Sequence, residues 1–380
     1  MSTGLNSEQR MLQDSVSRFG REFYDFERWR QVVATGAAFD EGNWRRMGEL
    51  GWFGIALPDS VGGMDGSMRD VMVLMEEFGR SLMLEPYVST SVLGASLLLE
   101  GNPALASDLL PAVVEGRMRI AVALAEPGAR FELARVATTA RSEDGDFVLS
   151  GSKTNVADCS TAQWLIIPAR TTSTYSDPYG ISLFLVPLNA DGIRIDHFRG
   201  PDYRHFSDVA LDNVRVSGAY RLGSLHEGLD LLERGVDRAI LASLAETLGV
   251  MDAARDLTLD YLKTREQFGR KIGEFQVLQH RMVDMAIACE EARAITYSAL
   301  TQFERSPEAT RRAISAAKVR VAQTSRFVGQ QAVQLHGGIG TSDELIVSHY
   351  LRRLAMLEVR FGNADHHLQR FADMPLPLAA

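Results

Sequence analysis

Only two cysteines, Cys159 and Cys289, occur in 380 residues, far apart and in no metal-binding spacing. That excludes a disulfide framework and suggests a reduced, cytoplasmic compartment. No window approaches the roughly 20 apolar residues needed to span a bilayer, and no basic segment followed by an apolar run opens the chain, so a cytosolic protein with no membrane partner is expected. Positive charge is also short. The net charge of -9 makes nucleic acid and anionic membranes poor partners, although local basic groups can still meet the phosphates of a small cofactor. Repeats and low-complexity tracts are missing. What remains is 46% hydrophobic and 23% charged residues, a globular composition, in a chain long enough for two or three domains.

Apolar residues recur at helical spacing from Leu12, Val16, Phe19 and Phe23, and the helical character continues to about residue 118. Breakers at Gly51, Pro58 to Gly66, Pro86 and Pro103 divide it. The pattern then changes to short β-branched runs at 120–124, 147–149, 165–167, 181–186 and 209–216, separated by Gly, Asp, Asn and Pro. After Gly228 the helical period returns over 229–263, 275–303, 308–335 and 343–360. The expected organisation is an α-helical domain over 1–118, a small β domain over 119–225 and a helical bundle over 226–380.

Arg265, Phe268, Gly269 and Gln276 lie in a charged, glycine-punctuated turn between two long helical runs. Further on, Gln334 is followed by Gly337, Gly338 and Gly340, where missing Cβ atoms let a backbone approach a phosphate closely. These glycines do not form the strand-to-helix fingerprint of a dinucleotide fold, so a nicotinamide site is not indicated. Glu76 to Arg80, Glu126-Pro127-Gly128, Ser150 to Lys153, Val209 to Val216 and Gln334 to Gly340 stand with the Arg265 turn in an order that resembles the acyl-CoA dehydrogenase family over almost the whole chain.

The resemblance implies the α+β fold of that family: an N-terminal helical domain, a small middle β-sheet domain and a C-terminal four-helix bundle that carries a tetramer interface. It implies FAD as cofactor, with Arg265 at the pyrophosphate, Phe268 beside the flavin, Gln276 at the adenosine half, and Gln334, Gly337 and Gly338 along the adenosine phosphate of a neighbouring subunit. A guanidinium suits the first role, because its planar fork can bond two phosphate oxygens. No metal is implied. His366, His367 and Asp365 lack a further ligand at suitable spacing, and adjacent histidines point different ways on a helix, so a surface or interface role is expected for them.

The family's chemistry removes a proton from the carbon alpha to a thioester while hydride leaves the beta carbon, and it needs a carboxylate base. Both of the family's usual base positions are empty here, being occupied by Gly362 and Ala239. Gly362 retains a backbone N–H for an enolate oxygen. Where the family carries a flavin-shielding Trp and a Thr, this chain has Asn155 and Ala157. Glu358 reads as a solvated helix flank. Glu246 lies seven residues beyond Ala239, which at about 100° per residue returns to within about 20° of the same helix face, about 10 Å along. It stands among Ala242, Ala245, Leu248, Gly249 and Val250, where desolvation would make it a candidate base with room for a wide substrate. A structural ion pair between bundle helices would satisfy the same residue.

The segments Phe361 to Leu368 and Leu12 to Ser15 resemble small subunits of heteromeric members of the family, of the pimeloyl-CoA or steroid-CoA type. Expected partners are therefore an acyl-CoA substrate, a paralogous subunit in an α2β2 assembly or copies of the chain itself, and an electron-transfer flavoprotein. A non-catalytic subunit that completes a paralogue's FAD site is the alternative.

Overall fold

The computed structural model describes residues 4–172, 174–303 and 305–374. Helices run over Ser7–Phe23 (α1), Phe26–Thr35 (α2), Glu41–Glu49 (α3), Met68–Arg80 (α4), Ala95–Gly101 (α5), Pro103–Val114 (α6), Gly228–Thr264 (α7), Gln276–Phe303 (α8), Pro307–His336 (α9), Ile346–Val359 (α10) and Ala364–Asp373 (α11). The strands of the one large sheet are Ile120–Val122 (β1), Thr139–Glu143 (β2), Asp146–Ala157 (β3), Trp164–Arg170 (β4), Ile181–Pro187 (β5), Ile193–Arg199 (β6), His205–Val216 (β7) and Arg221–Leu222 (β8). This is the helix, sheet, helix order expected, with four long helices, α7 to α10, after the sheet.

Residue contacts divide the chain into two compact units, one of Met1–Gln31, Met68–Met83 and Ile240–Ala380, the other of Val32–Ser67 and Leu84–Ala239. The helices of the first 118 residues are thus shared between them.

In the first unit, α1 starts on a reciprocal cap: Asn6 accepts from the Gln9 backbone, and the Gln9 side chain accepts from the Asn6 backbone. Its buried residues Val16 and Phe19 follow helical spacing. The tightest packing lies between α4 and α7. A Cβ at Gly249 would sit 1.8 Å from the Glu76 carbonyl oxygen, and one at Gly79 would sit 2.1 Å from that of Glu246. Backbone cannot swing aside as a side chain can. Gly249→Ala gains about 1 kcal/mol of helix propensity, but the collision should outweigh it and cost at least about 3 kcal/mol, the upper range for overpacking. A lower denaturant midpoint for Gly249→Ala checks this, and a higher one would show that the crossing is loose.

In the second unit the strand order is β6-β7-β3-β2-β4-β5-β8, with β1 parallel to β4. β4 and β5 are buried along almost their whole length, which is why they read as continuous apolar runs. The structure adds β2, β6 and β8 to the expected strands and extends β3 and β7. β2 and β6 are polar and mostly exposed, so they carry no hydrophobic signal. Asn155 has φ +53° at a register shift in the β3–β7 pairing, and its N–H bonds to Asp208 Oδ1 at 3.0 Å.

Candidate functional site

Thr264 ends α7, its hydroxyl donating back to the Asp260 carbonyl at 2.9 Å. Glu266–Gln267 and Arg270–Lys271 then pair as a two-residue hairpin through Phe268 at φ +55° and Gly269 at φ +76°. Two successive left-handed residues suit a tight hairpin turn, but glycine is the natural occupant of such positions and a phenylalanine is strained there. The Phe268 ring is 89% exposed and meets the Phe275 ring edge-on at 6.1 Å, and the Arg270 guanidinium lies 4.1 Å over Phe275. Nothing among the described residues repays the strain by burial. Arg265 and Gln276 are also exposed.

At the far end of α9, Gln334, Gly337 and Gly338 are exposed. Gly337 has φ +66°, which favours glycine. Gly338 needs no such conformation, and a Cβ there would meet nothing within 4 Å, so its missing side chain serves no packing among the described residues. Tyr261, one turn before Arg265, stacks on His336 with ring centroids 4.4 Å apart, and its hydroxyl reaches the His336 carbonyl at 3.4 Å. The structure therefore brings the Arg265 hairpin and the Gly337 segment together in one unit, with the named side chains and open backbone facing solvent. An exposed guanidinium and accessible glycine backbone carried by one unit are a donor set that fits a pyrophosphate.

Glu246 is buried in α7 at 1% exposure, yet it is not a lone acid among aliphatic groups. Arg353 Nε lies 3.7 Å from its Oε1, and an Arg360 Nη lies 3.6 Å from its Oε2. Those separations exceed good hydrogen-bond geometry and describe attraction between charges. Arg353 comes from α10 and also donates to the Met83 carbonyl at 3.0 Å, while Arg360 follows α10 directly. Sequence reasoning missed both arginines as neighbours of Glu246.

The loop after α10 holds Phe361 at φ +58° and Gly362 at φ +111°. A Cβ at Gly362 would lie 2.6 Å from His366 Cδ2 and 2.8 Å from His367 Nε2, so the position admits no longer side chain in this arrangement. The Gly362 N–H, expected to face an enolate, bonds to the Val359 carbonyl at 3.2 Å. His367 is fully buried, which corrects the surface role expected for the pair: its Nε2–H donates to the Phe361 carbonyl at 3.0 Å, and its Nδ1 lies 3.4 Å from Ser315 Oγ. Burial, with the charge of Lys318 adding to it, pushes the imidazole down to about 3, so it is neutral. Glu358 is likewise no solvated flank. Its side chain is 14% exposed and pairs with Arg326.

The Glu76 to Arg80 segment has a structural use. Arg293 joins Glu76 at 2.6 Å to Asp252 at 2.6 Å, Tyr297 donates to Glu76 at 2.8 Å, and Arg80 reaches Asp252 at 2.9 Å. Among the described residues no group of three or more His, Cys, Asp or Glu could hold a metal ion, and no helix is long and apolar enough to cross a membrane.

Fold order, the paired cofactor-type segments and the motif sequence point to one family, and the comparisons agree. The models of the C-terminal, N-terminal and middle domains of acyl-CoA dehydrogenase match residues 226–374, 6–117 and 121–214, and the chain belongs to the acyl-CoA dehydrogenase family. It is 29% identical over 368 residues to the caffeyl-CoA reductase-Etf complex subunit CarC of Acetobacterium woodii, covering 94% of this chain and 96% of that one. It is 28% identical over 361 residues to a 3-(aryl)acrylate reductase of Clostridium sporogenes, covering 92% and 94%. The solved structure of a Tcur3481-Tcur3483 steroid ACAD variant superposes with a TM-score of 0.87 at 31% identity, covering 97% of each chain.

Proposed function

We propose that this chain is an FAD-dependent acyl-CoA dehydrogenase subunit that dehydrogenates a bulky or polar-ended acyl-CoA at its α and β carbons and passes electrons to an electron-transfer flavoprotein. One observation carries it: the strained, exposed Phe268 and the open backbone at Gly338 are explained by no packing among the described residues, and with Arg265 they are the groups a dinucleotide would be gripped by. Relatives named for an Etf complex and for a steroid substrate support the electron acceptor and the bulky acyl group.

When bound, FAD supplies the hydride acceptor. Arg265 would hold its pyrophosphate, Phe268 the flavin side and Gln276 the adenosine half, while Gln334, Gly337 and Gly338 would pass the adenosine phosphate of a neighbouring subunit. Glu246 takes the alpha proton. Before that step Arg353 and Arg360 stabilise and orient its carboxylate. We place the domains at 1–118, 119–225 and 226–380, the assembly as an α2β2 pair with a paralogue or a homo-oligomer, and the protein in the cytoplasm.

A second reading has a specific observation in its favour. A Glu246 already compensated by the buried Arg353 and the partly exposed Arg360, together with a Gly362 position closed to any side chain, suits a non-catalytic subunit that completes a paralogue's FAD site. The test is anaerobic bleaching of flavin absorbance by a panel of aliphatic, dicarboxylic and ring-bearing acyl-CoAs, on protein produced with its paralogue. The first reading expects Glu246→Gln to retain flavin and lower the reduction rate by about 100-fold or more, the scale of a lost proton acceptor. Arg265→Ala should lose the flavin itself. Unchanged reduction in Glu246→Gln would assign the base elsewhere and leave the second reading.

A further inference from the structure

Lys318 lies in the middle of α9 and is buried, which is rare for lysine without a specific use. Its Nζ donates to three carbonyls, of Leu357 at 3.2 Å, Glu358 at 3.2 Å and Arg360 at 2.8 Å. An ammonium has three donors, so the match to three acceptors is complete. These carbonyls are at the C-terminus of α10, where a cation is favoured by the helix dipole. They lead directly into Phe361, a non-glycine residue at positive φ that persists only where its surroundings hold it, and then Gly362. The other brace is His367 from α11, at the Phe361 carbonyl. Arg360, within this clamp, is one of the two guanidiniums on Glu246.

We propose that Lys318 is a positioning residue that, with His367, holds the 360–363 loop in shape and thereby sets Arg360 against Glu246. The inference rests on the function proposed above for Glu246. The charged and titratable groups around Lys318 are Arg360 and Glu358 from α10 and its loop, His367 from α11 with His366 and Arg370 beside it, and Glu246 from α7 beyond Arg360; Ser243 and Thr247 of α7 line the same small cavity. Burial first, then the Arg360 charge, lowers Lys318 to about 7, with Glu358 opposing. Deprotonation leaves two donors for three carbonyls, so the clamp loosens as pH rises through that value.

Hydrogen exchange on the full chain reads this at the Gly362, His366 and His367 amides, which bond to the Val359 carbonyl, the Asn363 side chain and the Asn363 carbonyl. Corrected for intrinsic rates, their protection should fall about tenfold between about pH 6 and about pH 8.5 in the wild type. Lys318→Arg, which stays charged, should show no such fall, and Lys318→Met should be poorly protected at both. Global stability responds in the opposite direction. The unfolded lysine, near 10.5, binds more protons than the folded one between the two values, so this group makes stability rise with pH there, and a general softening cannot mimic the result.

In the flavin-reduction assay with the best substrate of the panel, Lys318→Met should lower kcat about tenfold with KM unchanged, and Lys318→Arg should restore it. Lys318→Met protection at about pH 6 equal to that of the wild type overturns the brace, and if that variant fails to fold the same result in Lys318→Gln does so; wild-type protection that does not vary with pH overturns the titration of the clamp in this range. Lost protection with an unaltered reduction rate overturns the positioning role. A wild type that reduces no flavin yet shows the exchange pattern ends the proposed reaction and keeps the clamp.

Discussion

Glu246→Ala should lower folding stability by about 3–5 kcal/mol, whether or not Glu246 is the base. The cost of breaking a buried ion pair comes from the charge left behind, and here two guanidiniums, of Arg353 and Arg360, lose a facing carboxylate at once. Both sit in the low-exposure interior of one unit, so solvent cannot replace the carboxylate as it would at a surface. The truncation adds a small cavity cost in the same direction. A denaturant titration measures the loss, and a double-mutant cycle with Arg353→Met separates its sources. If charge imbalance dominates, the double variant should recover part of the loss, because one of the two cations has been removed. A loss below about 1 kcal/mol would show that water or a further group already compensates these arginines. The turnover of Glu246→Gln has to be read against its folded fraction, since an amide also leaves the cations uncompensated.

Much of the fold was legible because it depends on local periodicity. The long helices α7 to α10 and the buried strands β4 and β5 declare themselves by apolar spacing. The polar strands β2 and β6 do not, because an exposed strand carries no alternation to read. Among site residues, the Arg265 turn and the Gly337 segment were visible as motifs, but their adjacency depends on Tyr261 stacking on His336, a contact between distant helices. The surroundings of Glu246 were misjudged for the same reason. Its sequence neighbours are Ala, Leu and Thr, while its charge partners arrive from α10 and the loop beyond. For His367 a surface or interface role was expected because no further ligand stood at metal spacing, and only the Gly362 loop packed against it shows its burial. An arginine following a helix next to a left-handed glycine, as Arg360 precedes Phe361 and Gly362, was the one local signal that could have flagged the clamp.

Lys153→Met is expected to cost about 3–5 kcal/mol near neutral pH, by breaking the buried pair that its ammonium makes with Glu126 at 2.6 Å. Both residues belong to the motifs that carry the family resemblance, yet their use here is structural. Lys153 on β3 fixes Glu126, and Glu126 accepts from the backbone of Ala137 at 2.6 Å and Thr138 at 3.1 Å, so one carboxylate ties the segment before β2 to the sheet. Desolvation pushes Glu126 up, but the charge and hydrogen bond of Lys153 with the backbone donors outweigh it and leave it below its ordinary 4.5. A depressed carboxylate stabilises the folded state above its unfolded value and loses that contribution as pH falls through the folded one. Wild-type stability should therefore drop on acidification below about 4.5 from this group. Without Lys153 the carboxylate keeps its desolvation cost and only its backbone donors, and protonation relieves an uncompensated buried charge. The stability gap between wild type and variant should accordingly narrow between about pH 7 and about pH 4. Urea midpoints across that range decide it. A gap that stays constant would mean the methionine variant loses packing rather than charge balance, and would detach the pair from the acid sensitivity of this unit.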